Sequence, residues 1–219
     1  MKRTFGMLGL AMLLVGTAHA QFSLRAGGNA STLSTPREEY RRGSAEGGIG
    51  YQVGLAYEKK LSDRWAVLSE LSYRRQSLNL ALEDNFVSDG SYRARYLLRL
   101  HYLSLPVMMR ATFGRFYVEA GPYGALQLAA QEKGIEYRST LSGGYEVAID
   151  RPATDRYNRF DVGLGAGAGL KLPGDRLAFG LRASTGLLSL TRPLQVYSYS
   201  GRLKNQVLEA ALSYSLSKD

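Results

Sequence analysis

The segment from Phe160 to Leu172 alternates without exception between two kinds of residue. Its even positions are apolar, and its odd positions are glycine or charged (Asp161 and Lys171). A period of two indicates a β-strand, because successive side chains of a strand point to opposite faces of the sheet. One face of this strand is therefore apolar, and the other is either empty or ionic. That combination favours the wall of a barrel with lipid outside and a crowded polar lumen inside.

The N-terminus predicts export from the cytoplasm. Lys2 and Arg3 precede an apolar run over 5–16, and Ala18-His19-Ala20 then has the small-x-small pattern of a signal-peptide cleavage site. The run is shorter than the ~20 apolar residues that a membrane-spanning helix needs. We therefore expect a signal peptide over residues 1–20 and a single mature domain over 21–219 that begins at Gln21. The chain contains no cysteine, which excludes disulfides and zinc–thiolate sites.

Eight segments have the composition of strands, and their connections alternate in length. The segments are 22–29, 50–61, 64–77, 95–111, 115–129, 157–172, 176–188 and 203–216. The short connections are typical hairpin turns rich in Gly, Pro, Asp or Ser, whereas the long connections are predicted as loops over 30–49, 78–94, 130–156 and 189–202. Short periplasmic turns and long external loops are typical of transmembrane barrels. The sequence predicts an all-β, eight-stranded, antiparallel up-and-down transmembrane β-barrel.

The fourth segment changes its pattern part of the way along. Tyr96, Leu98, Leu100 and Tyr102 are apolar at even positions, whereas Leu103, Leu105, Val107 and Met109 are apolar at odd ones. A β-bulge near Tyr102 would transfer the apolar pattern to the other face of the strand, because a bulge adds one unpaired residue. We therefore predict a bulge there and leave the facing of 95–111 open.

Aromatic residues distinguish a membrane barrel from a soluble lipocalin-like barrel, which would carry its polar face outside. Aromatic residues fall near both ends of the predicted strands, as interfacial girdles do, rather than in the middle, as in a soluble core. The predicted girdle residues are Phe22, Tyr57, Trp65, Phe116, Phe179 and Tyr214 near the short turns, and Tyr51, Tyr73 and Phe160 near the long loops.

The opposite face carries charges of both signs in equal number. The predicted lumen charges are Glu58, Glu70, Glu119, Asp161 and Glu209 together with Arg25, Arg74, Arg110, Lys171 and Arg182. A balanced set of charges can form ion pairs inside a narrow lumen, which offsets the cost of burying each charge. These residues are predicted to form a network that fills the lumen.

Three segments resemble a known family. The sequences YLSLPVMMR (102–110), GRFYVEAGPYGALQL (114–128) and RFDVGLGAGAGLKL (159–172) are similar to the central hairpin and the sixth strand of the porin-like outer-membrane β-barrels of Gram-negative bacteria. The resemblance extends over 21–219 and implies a small barrel in the outer membrane, but the family shares no single established activity. Such barrels commonly end on an aromatic residue that the outer-membrane insertion machinery reads, whereas this chain ends with Ser-Lys-Asp.

The sequence offers little catalytic chemistry. His101 is the only histidine after signal cleavage, and no motif ties it to a serine or a carboxylate. The glycines over 163–169 lie within a strand, so they do not form a dinucleotide-binding turn. We expect no enzyme activity, no cofactor and no bound metal.

Three functions stay open at this point. The first is a structural or surface-binding role through the long loops, because external loops on a rigid barrel carry binding specificity. Tyr137, Tyr145 and Tyr157 would give such a loop a contact surface. The second is a narrow porin-like channel, although eight strands leave an interior that side chains just fill. The third is a lipid-modifying enzyme. The expected partners are outer-membrane lipid, the insertion machinery and an extracellular ligand; nucleic acid is excluded for an exported chain, and a monomer is expected.

Overall fold

The computed structural model describes residues 20–34, 41–86, 90–140, 143–174, 176–190 and 203–216. The predicted signal peptide lies outside these residues, apart from Ala20. No helix among them is both long enough and apolar enough to span a membrane.

The described chain is almost entirely β-strand. The strands are β1 (Ala20–Ser34), β2 (Arg41–Lys60), β3 (Trp65–Phe86), β4 (Gly90–Phe113), β5 (Phe116–Thr140), β6 (Gly143–Pro152), β7 (Phe160–Lys171), β8 (Leu177–Gly186) and β9 (Lys204–Ser215). One short 3₁₀ turn, Thr154–Arg156, connects β6 to β7. The prediction of an all-β chain is confirmed.

Eight of these strands close a ring. Each of β1 to β5 pairs antiparallel with the next, β5 then pairs with β7, and β7, β8 and β9 follow in order. The ring closes where Leu24 of β1 lies opposite Tyr214 of β9. This is the predicted eight-stranded, up-and-down antiparallel barrel. Closure leaves the wall without a free edge, which a barrel in lipid requires.

The short turns join the strands at the rim that also carries the first and last described residues. Gly114 has φ +61° in the turn between β4 and β5, and Gly174 has φ +94° in the turn between β7 and β8. Both values lie in the left-handed region that glycine adopts without steric cost. The turns were predicted at the correct places, and we call this end of the barrel the lower rim.

At the opposite end, the predicted loops are largely strand. Most of 30–49, 78–94 and 130–156 continues the flanking strands as paired hairpins, so the prediction of long loops there was wrong. The strands extend because inward and outward side chains keep alternating beyond the predicted ends. The remaining parts, 35–40, 87–89 and 141–142, lie outside the described residues, as does most of the predicted loop 189–202.

The ninth strand was not predicted. β6 pairs with β5 over 131–140, directly above the stretch of β5 that pairs with β7. The edge of β5 is thus shared between β7 in the lower part and β6 in the upper part. The β5–β6 hairpin therefore extends the barrel wall upward without adding a member to the ring.

The bulge predicted on the fourth strand lies on its neighbour instead. The pairing of β4 with β5 shifts between His101 and Tyr102, but the unpaired residue is Leu128 of β5. Along β4 itself, every even residue from Ala94 to Arg110 is buried in the lumen. The strand therefore keeps the same facing past Tyr102. What changes there is the face that carries the apolar residues, which is the inner face above this point and the outer face below it.

The upper part of the lumen is filled by apolar side chains. Leu78, Leu98, Leu100, Tyr102 and Leu203 are completely buried there, within a cluster of sixteen residues. The members of this cluster come from the inner faces of β1, β3, β4 and β5, from β6 and from the chain segments that follow β6 and β8. The cluster closes the barrel above the level at which the charged lumen residues lie.

Candidate functional site

The structure brings eight of the ten predicted lumen charges into one network. They lie on the inner faces of seven strands, where alternation points every second side chain inward; these strands are β1, β2, β3, β4, β5, β8 and β9. The members, all buried or half-buried, are Arg25, Glu58, Glu70, Arg74, Arg110, Glu119, Arg182 and Glu209.

Glu119 of β5 is the centre of this network. The Nε and Nη2 atoms of Arg182 donate to its Oε1 at 2.9 and 2.6 Å. The Nε and Nη2 atoms of Arg110 donate to its Oε2 at 3.1 and 2.7 Å. Both carboxylate oxygens therefore accept from a guanidinium fork, an arrangement that is stronger and more directional than a single charged contact.

The two arginines connect Glu119 to the other carboxylates. Arg182 Nη1 donates to Glu70 at 3.0 Å, and Arg110 Nη1 donates to Glu58. Arg110 also lies 4.2 Å from the centroid of the Tyr117 ring. Each arginine thus contacts two acidic groups from different strands, so the network ties opposite walls of the barrel together across the lumen.

A second branch reaches upward through Glu209 of β9. Arg74 Nη1 donates to its Oε1 at 2.9 Å, and Gln52 Nε2 donates to its Oε2 at 3.2 Å. Arg25 lies beside the first branch, 3.7 Å from Glu70 and 3.9 Å from Glu119. The network therefore occupies the cross-section of the lumen from β1 round to β9.

Asp161 and Lys171 lie apart from these eight residues. Asp161 accepts a hydrogen bond from Tyr123 at 2.9 Å and one from Asn205 at 3.4 Å. Lys171 is half-exposed at the lower mouth of the lumen, where it lines a recess together with Glu58 and Arg110. Both were predicted to belong to the network because they lie on the inner face of the barrel, as its members do. The facing of a strand does not determine how far along the barrel axis a side chain lies, and these two lie at other levels.

Several polar atoms at the top of the network and at the lower end of the apolar cluster have no hydrogen-bond partner among the described residues. They include both terminal atoms of Gln76 and Gln127, the Tyr102 hydroxyl and two guanidinium nitrogens of Arg74. Arg74, Tyr102 and Gln127 are directly paired across β3, β4 and β5, so these atoms share one level of the lumen. Buried polar groups are normally hydrated when protein offers no partner. This level is therefore a polar layer between the charge network and the apolar cluster.

All nine predicted girdle residues lie on the outer face. The seven with the largest exposure are Phe22, Tyr51, Trp65, Phe116, Phe160, Phe179 and Tyr214, while Tyr57 and Tyr73 are half-buried. The Phe22 and Tyr57 rings are 5.2 Å apart near the lower rim, and the Tyr51 and Tyr73 rings are 6.2 Å apart at the upper level. Between the two levels, exposed aliphatic side chains such as Leu164 (54% exposed) cover the wall. We call this surface the apolar belt.

A second buried cluster of charges was missed by the sequence analysis. Glu132 and Glu136 lie on the inner face of β5 above the belt and are only 1% and 2% exposed. Arg151 of β6 donates to Glu132 at 2.9 Å and also to Glu136, and Arg156 of the 3₁₀ turn lies 3.3 Å from Glu132. The pair of glutamates four residues apart, followed by two arginines, was the available signal, but the segment had been assigned to a solvated loop.

Tyr157 completes this cluster. It was predicted to lie on a contact surface, but it is buried. Its hydroxyl donates to Glu132 at 2.7 Å and lies 3.1 Å from the Tyr96 hydroxyl. Burial and the neighbouring Tyr96 and Glu132 raise the pKa of Tyr157 well above its ordinary value. The pKa of Arg151, which burial alone would lower, is raised by its hydrogen bonds to Glu136 and Glu132. Both groups therefore hold their protons, and the cluster braces the base of the β5–β6 hairpin.

The upper part of that hairpin presents apolar side chains to solvent. Tyr137 and Tyr145 are exposed, as predicted for a contact surface, and Ile135 and Val147 are exposed beside them. Among the described residues, β6 pairs only with β5, so its second edge has no partner strand. The hairpin therefore offers both a backbone edge and apolar side chains above the belt.

His101 lies on the outer face of β4, not in the lumen. Its Nδ1 atom is 2.5 Å from the Tyr73 hydroxyl, and its ring packs 6.0 Å from the Tyr73 ring. Among the described residues, no hydrogen bond or ion pair joins it to a serine or a carboxylate. Within the described ranges, no group of three or more His, Asp or Glu residues is arranged to hold a metal ion.

Comparisons with known proteins give the same architecture. The model of the family described as outer membrane protein beta-barrel domain matches residues 16–192. No curated protein matches the chain. Among solved structures, the crystal structure of Neisserial surface protein A has a TM-score of 0.50 at 10% identity, covering 90% of this chain and 98% of that one.

Two further solved structures are similar over most of the chain. The outer membrane protein OprG from Pseudomonas aeruginosa has a TM-score of 0.41 at 12% identity, with coverage of 93% of this chain and 99% of its own. The attachment invasion locus protein Ail of Yersinia pestis has a TM-score of 0.41 at 14% identity, with coverage of 90% and 99%. At such identities the likeness to Neisserial surface protein A concerns the fold alone.

Proposed function

The chain belongs to the outer membrane protein beta-barrel domain family, and from that premise we propose that it is a closed barrel that binds an extracellular macromolecule through its β5–β6 hairpin. The observation that carries this proposal is that one hairpin combines a base held by buried ion pairs of Glu132 and Glu136 with an upper part whose apolar side chains are exposed. A rigid scaffold that presents exposed side chains is the usual arrangement of a binding surface.

The hairpin has two features that suit a protein or peptide ligand. Its exposed tyrosines, Tyr137 and Tyr145, supply large contact areas that lose little side-chain entropy on binding. Within the part of the chain that the structure describes, β6 has no second partner strand, so its outer edge over 144–152 can pair with an extended segment of a ligand, as in β-augmentation. Glu132 and Arg151 hold the base of the hairpin in place, so binding would not have to pay for ordering it.

The contacts inside the barrel argue against the alternative of a narrow channel. Glu119, Arg110 and Arg182 cross the lumen within the apolar belt, and the apolar cluster around Leu98 fills it above. An eight-stranded barrel leaves an interior that side chains just fill. The unpartnered polar layer around Gln127 favours some internal hydration, but it lies between two closed layers.

The alternative of a lipid-modifying enzyme receives no support from His101. Nucleophilic catalysis needs a nucleophile and a base within hydrogen-bond reach, with a third group that orients the base. His101 contacts Tyr73 instead, on the lipid-facing side of the wall. We propose a non-catalytic, monomeric barrel whose surroundings are outer-membrane lipid.

Peptide selection on the purified barrel tests the binding surface. A phage-displayed peptide library would be selected against the wild-type barrel in lipid nanodiscs, and the recovered peptides would be tested against a Tyr137→Ser/Tyr145→Ser double variant. We expect these peptides to lose at least tenfold in affinity for the double variant. Leu97→Ser, which alters the outer face of β4 above the belt, is the matched control and should leave binding unchanged. Peptides that bind the double variant as well as the wild type would contradict the proposal.

Conductance tests the closed lumen separately. The wild-type barrel in a planar lipid bilayer should show no steady single-channel conductance. Regular conductance steps in the wild-type protein would favour the channel, whatever the result of the peptide selection.

A further inference from the structure

Five residues form a basic and aromatic surface on the outer wall, at the upper edge of the apolar belt. We call it the upper basic patch; its members are Tyr51 of β2, Tyr73 and Arg75 of β3, and Arg99 and His101 of β4. Tyr51, Arg75 and His101 are consecutive partners across three neighbouring strands. Tyr73 lies one position below this row on the same face, and Arg99 lies one position above it.

The patch lies at the height of lipid headgroups. Arg75 is ten residues above Trp65, the girdle residue at the lower end of β3. At ~3.3 Å per residue along a strand tilted by ~40°, ten residues correspond to about 25 Å of height, which is the height of the apolar band of such barrels. Trp65 marks the lower interface, so Arg75 lies at the upper one, on the side that faces away from the periplasmic turns.

The aromatic members hold the polar ones in place. The Arg75 guanidinium lies 5.9 Å from the centroid of the Tyr51 ring, within the range of a cation–π contact. The contact between Tyr73 and His101 Nδ1 fixes the orientation of the imidazole ring. Because Nδ1 is hydrogen-bonded to Tyr73, Nε2 is the ring nitrogen of His101 that can contact a ligand.

Neither arginine of the patch is in an ion pair among the described residues, although the charge of Arg99 also acts on the nearby Asp150 carboxylate. Other cations on the same outer surface are in direct ion pairs: Arg93 is 2.9 Å from Glu83, and Lys133 is 3.2 Å from Asp150. Within the described ranges Arg75 is in no ion pair, and the Nε atom of Arg99 is buried without a hydrogen-bond acceptor. Arg75 and Arg99 occupy diagonal positions on adjacent strands, which places them about 7–8 Å apart at the backbone. Two guanidinium groups and one imidazole nitrogen are thus available round one point.

We propose that the upper basic patch binds the phosphate group of a lipid in the outer leaflet, with the acyl chains lying along the apolar belt below it. Guanidinium groups match the oxygens of a phosphate in a bidentate manner, and Arg is the preferred residue for such recognition. The aliphatic side chains of Val53 and Leu103, which flank Tyr73 in the row below, continue the surface down into the belt. The site thus combines phosphate recognition at the interface with an apolar wall for the chains, and it is independent of the β5–β6 hairpin.

Native mass spectrometry of the purified full-length barrel with defined lipids tests this site. The probes are phosphatidic acid, which carries a phosphate monoester on two acyl chains, phosphatidylcholine with the same chains, and inorganic phosphate. We expect the wild-type barrel to retain phosphatidic acid at least tenfold better than phosphatidylcholine. The Arg75→Gln/Arg99→Gln double variant should lose that preference.

Arg95→Gln is the matched control, because Arg95 lies on the same outer face of β4, four residues further from the membrane than Arg99. It should keep the preference. Arg75→Lys/Arg99→Lys keeps both charges without the guanidinium forks, and we expect it to retain only part of the preference. Heat-dependent mobility on gels would establish that each variant is folded.

Three results would overturn the proposal. One is equal retention of the two lipids by the wild-type barrel, which needs no variant to fold. Another is an equal loss of preference in Arg95→Gln, which would indicate general surface charge rather than a site. The third is displacement of phosphatidic acid by inorganic phosphate at equal concentration, which would assign the patch to a soluble anion. None of these results bears on peptide binding by the hairpin.

Discussion

The lower and upper halves of the barrel carry their apolar residues on opposite faces of the wall, and β4 shows this difference within one strand. Below His101, its outer face carries exposed apolar side chains such as Leu105, and its inner face carries Arg110. Above His101, the inner face carries Leu98 and Leu100, whereas the outer face carries Arg95 and Arg99. The backbone keeps one facing throughout. The surroundings of the outer face, lipid below and water above, therefore decide which face is apolar.

The contrast has a further consequence for ionic groups. Carboxylates below the boundary are buried in the lumen and share arginines, as Glu119 does, while several of those above it, such as Glu83 and Asp150, pair on the outer surface. A buried pair is costly to break because the partner that remains is left as an uncompensated charge. An exposed pair contributes little. An ion pair between the same two residue types therefore contributes more to stability inside the barrel than on its outer surface.

The largest expected effect is that of removing the central charge of the lumen. Glu119→Gln leaves Arg110 and Arg182 without their shared carboxylate, and we expect it to destabilise the barrel by about 3–5 kcal/mol. The measurement is reversible urea unfolding in lipid vesicles. Glu83→Gln, which removes the exposed partner of Arg93, is the control and should cost less than about 1 kcal/mol. Equal costs would mean that the lumen network is as solvated as the surface.

A smaller effect tests where the membrane ends along β4. Leu105→Arg places a basic residue on the outer face within the belt and should cost about 2–4 kcal/mol if Leu105 is near the midplane. Leu97→Arg makes the same change on the same face, eight residues higher, and should stay within about 0.5 kcal/mol of the wild type. Unfolding of both variants in the same vesicles gives the comparison. A tolerated Leu105→Arg would contradict the assignment of the lower half to lipid.

A third prediction concerns the two faces of the wall rather than its two halves. Gly165 faces the lumen, where an added Cβ would lie 2.9 Å from the Met108 methyl group. Gly165→Phe should therefore overpack the lumen and cost about 1–3 kcal/mol. Leu164→Phe, at the adjacent outward position, should be nearly neutral, because the ring replaces one apolar surface by another against lipid. If Leu164→Phe were the more disruptive change, the faces would be assigned the wrong way round.

The smallest effect is a titration on the upper outer surface. Hydrogen bonds from Lys133 and Gln131 lower the pKa of the Asp150 carboxyl below its ordinary value. Because the folded-state pKa is lowered, the contribution of this pair to stability is present at neutral pH and is lost as the pH falls through that pKa. Lys133→Met should return the pKa of Asp150 towards the ordinary value, as measured by carboxyl-carbon NMR. An unchanged pKa in that variant would show that the pair is not formed in solution.

The fold was predictable because its signals are local. Period-two alternation marked the lower half of each strand, and the residues at the turns, such as Gly114 and Gly174, marked the hairpins. Most of the upper half was not predicted as strand because its apolar residues face inward, so Leu78 and Leu80 did not continue the pattern of apolar residues on the outer face. The inward pointing of Glu119, Arg182 and Glu209 followed from alternation alone, whereas that of Arg110 did not, because the facing of 95–111 was left open. Which side chains meet did not follow, because it depends on the stagger of strands round the ring.

The cluster at Glu132 was hidden for a different reason. The bulge at Leu128 reverses which positions of β5 face inward, from odd positions below it to even positions above it. If the odd-inward alternation of the lower part of β5 is continued past residue 128, Glu132 and Glu136 are placed on the outer face. The sequence around 126–130 contains only Leu, Gln and Ala, so it carries no glycine to indicate the interruption.

The unpaired Leu128 acts as a phase shift in the chain's inside–outside alternation. Removing one residue at this point would reverse the facing of every β5 residue above it. Tyr137 and Lys133 would then point into the barrel, and Glu136 would point out of it. Removing or adding two residues would preserve the parity and only change the height of the hairpin. Length variation above the membrane is therefore tolerated in even steps, and the position of a single leucine sets the frame in which the hairpin displays its surface.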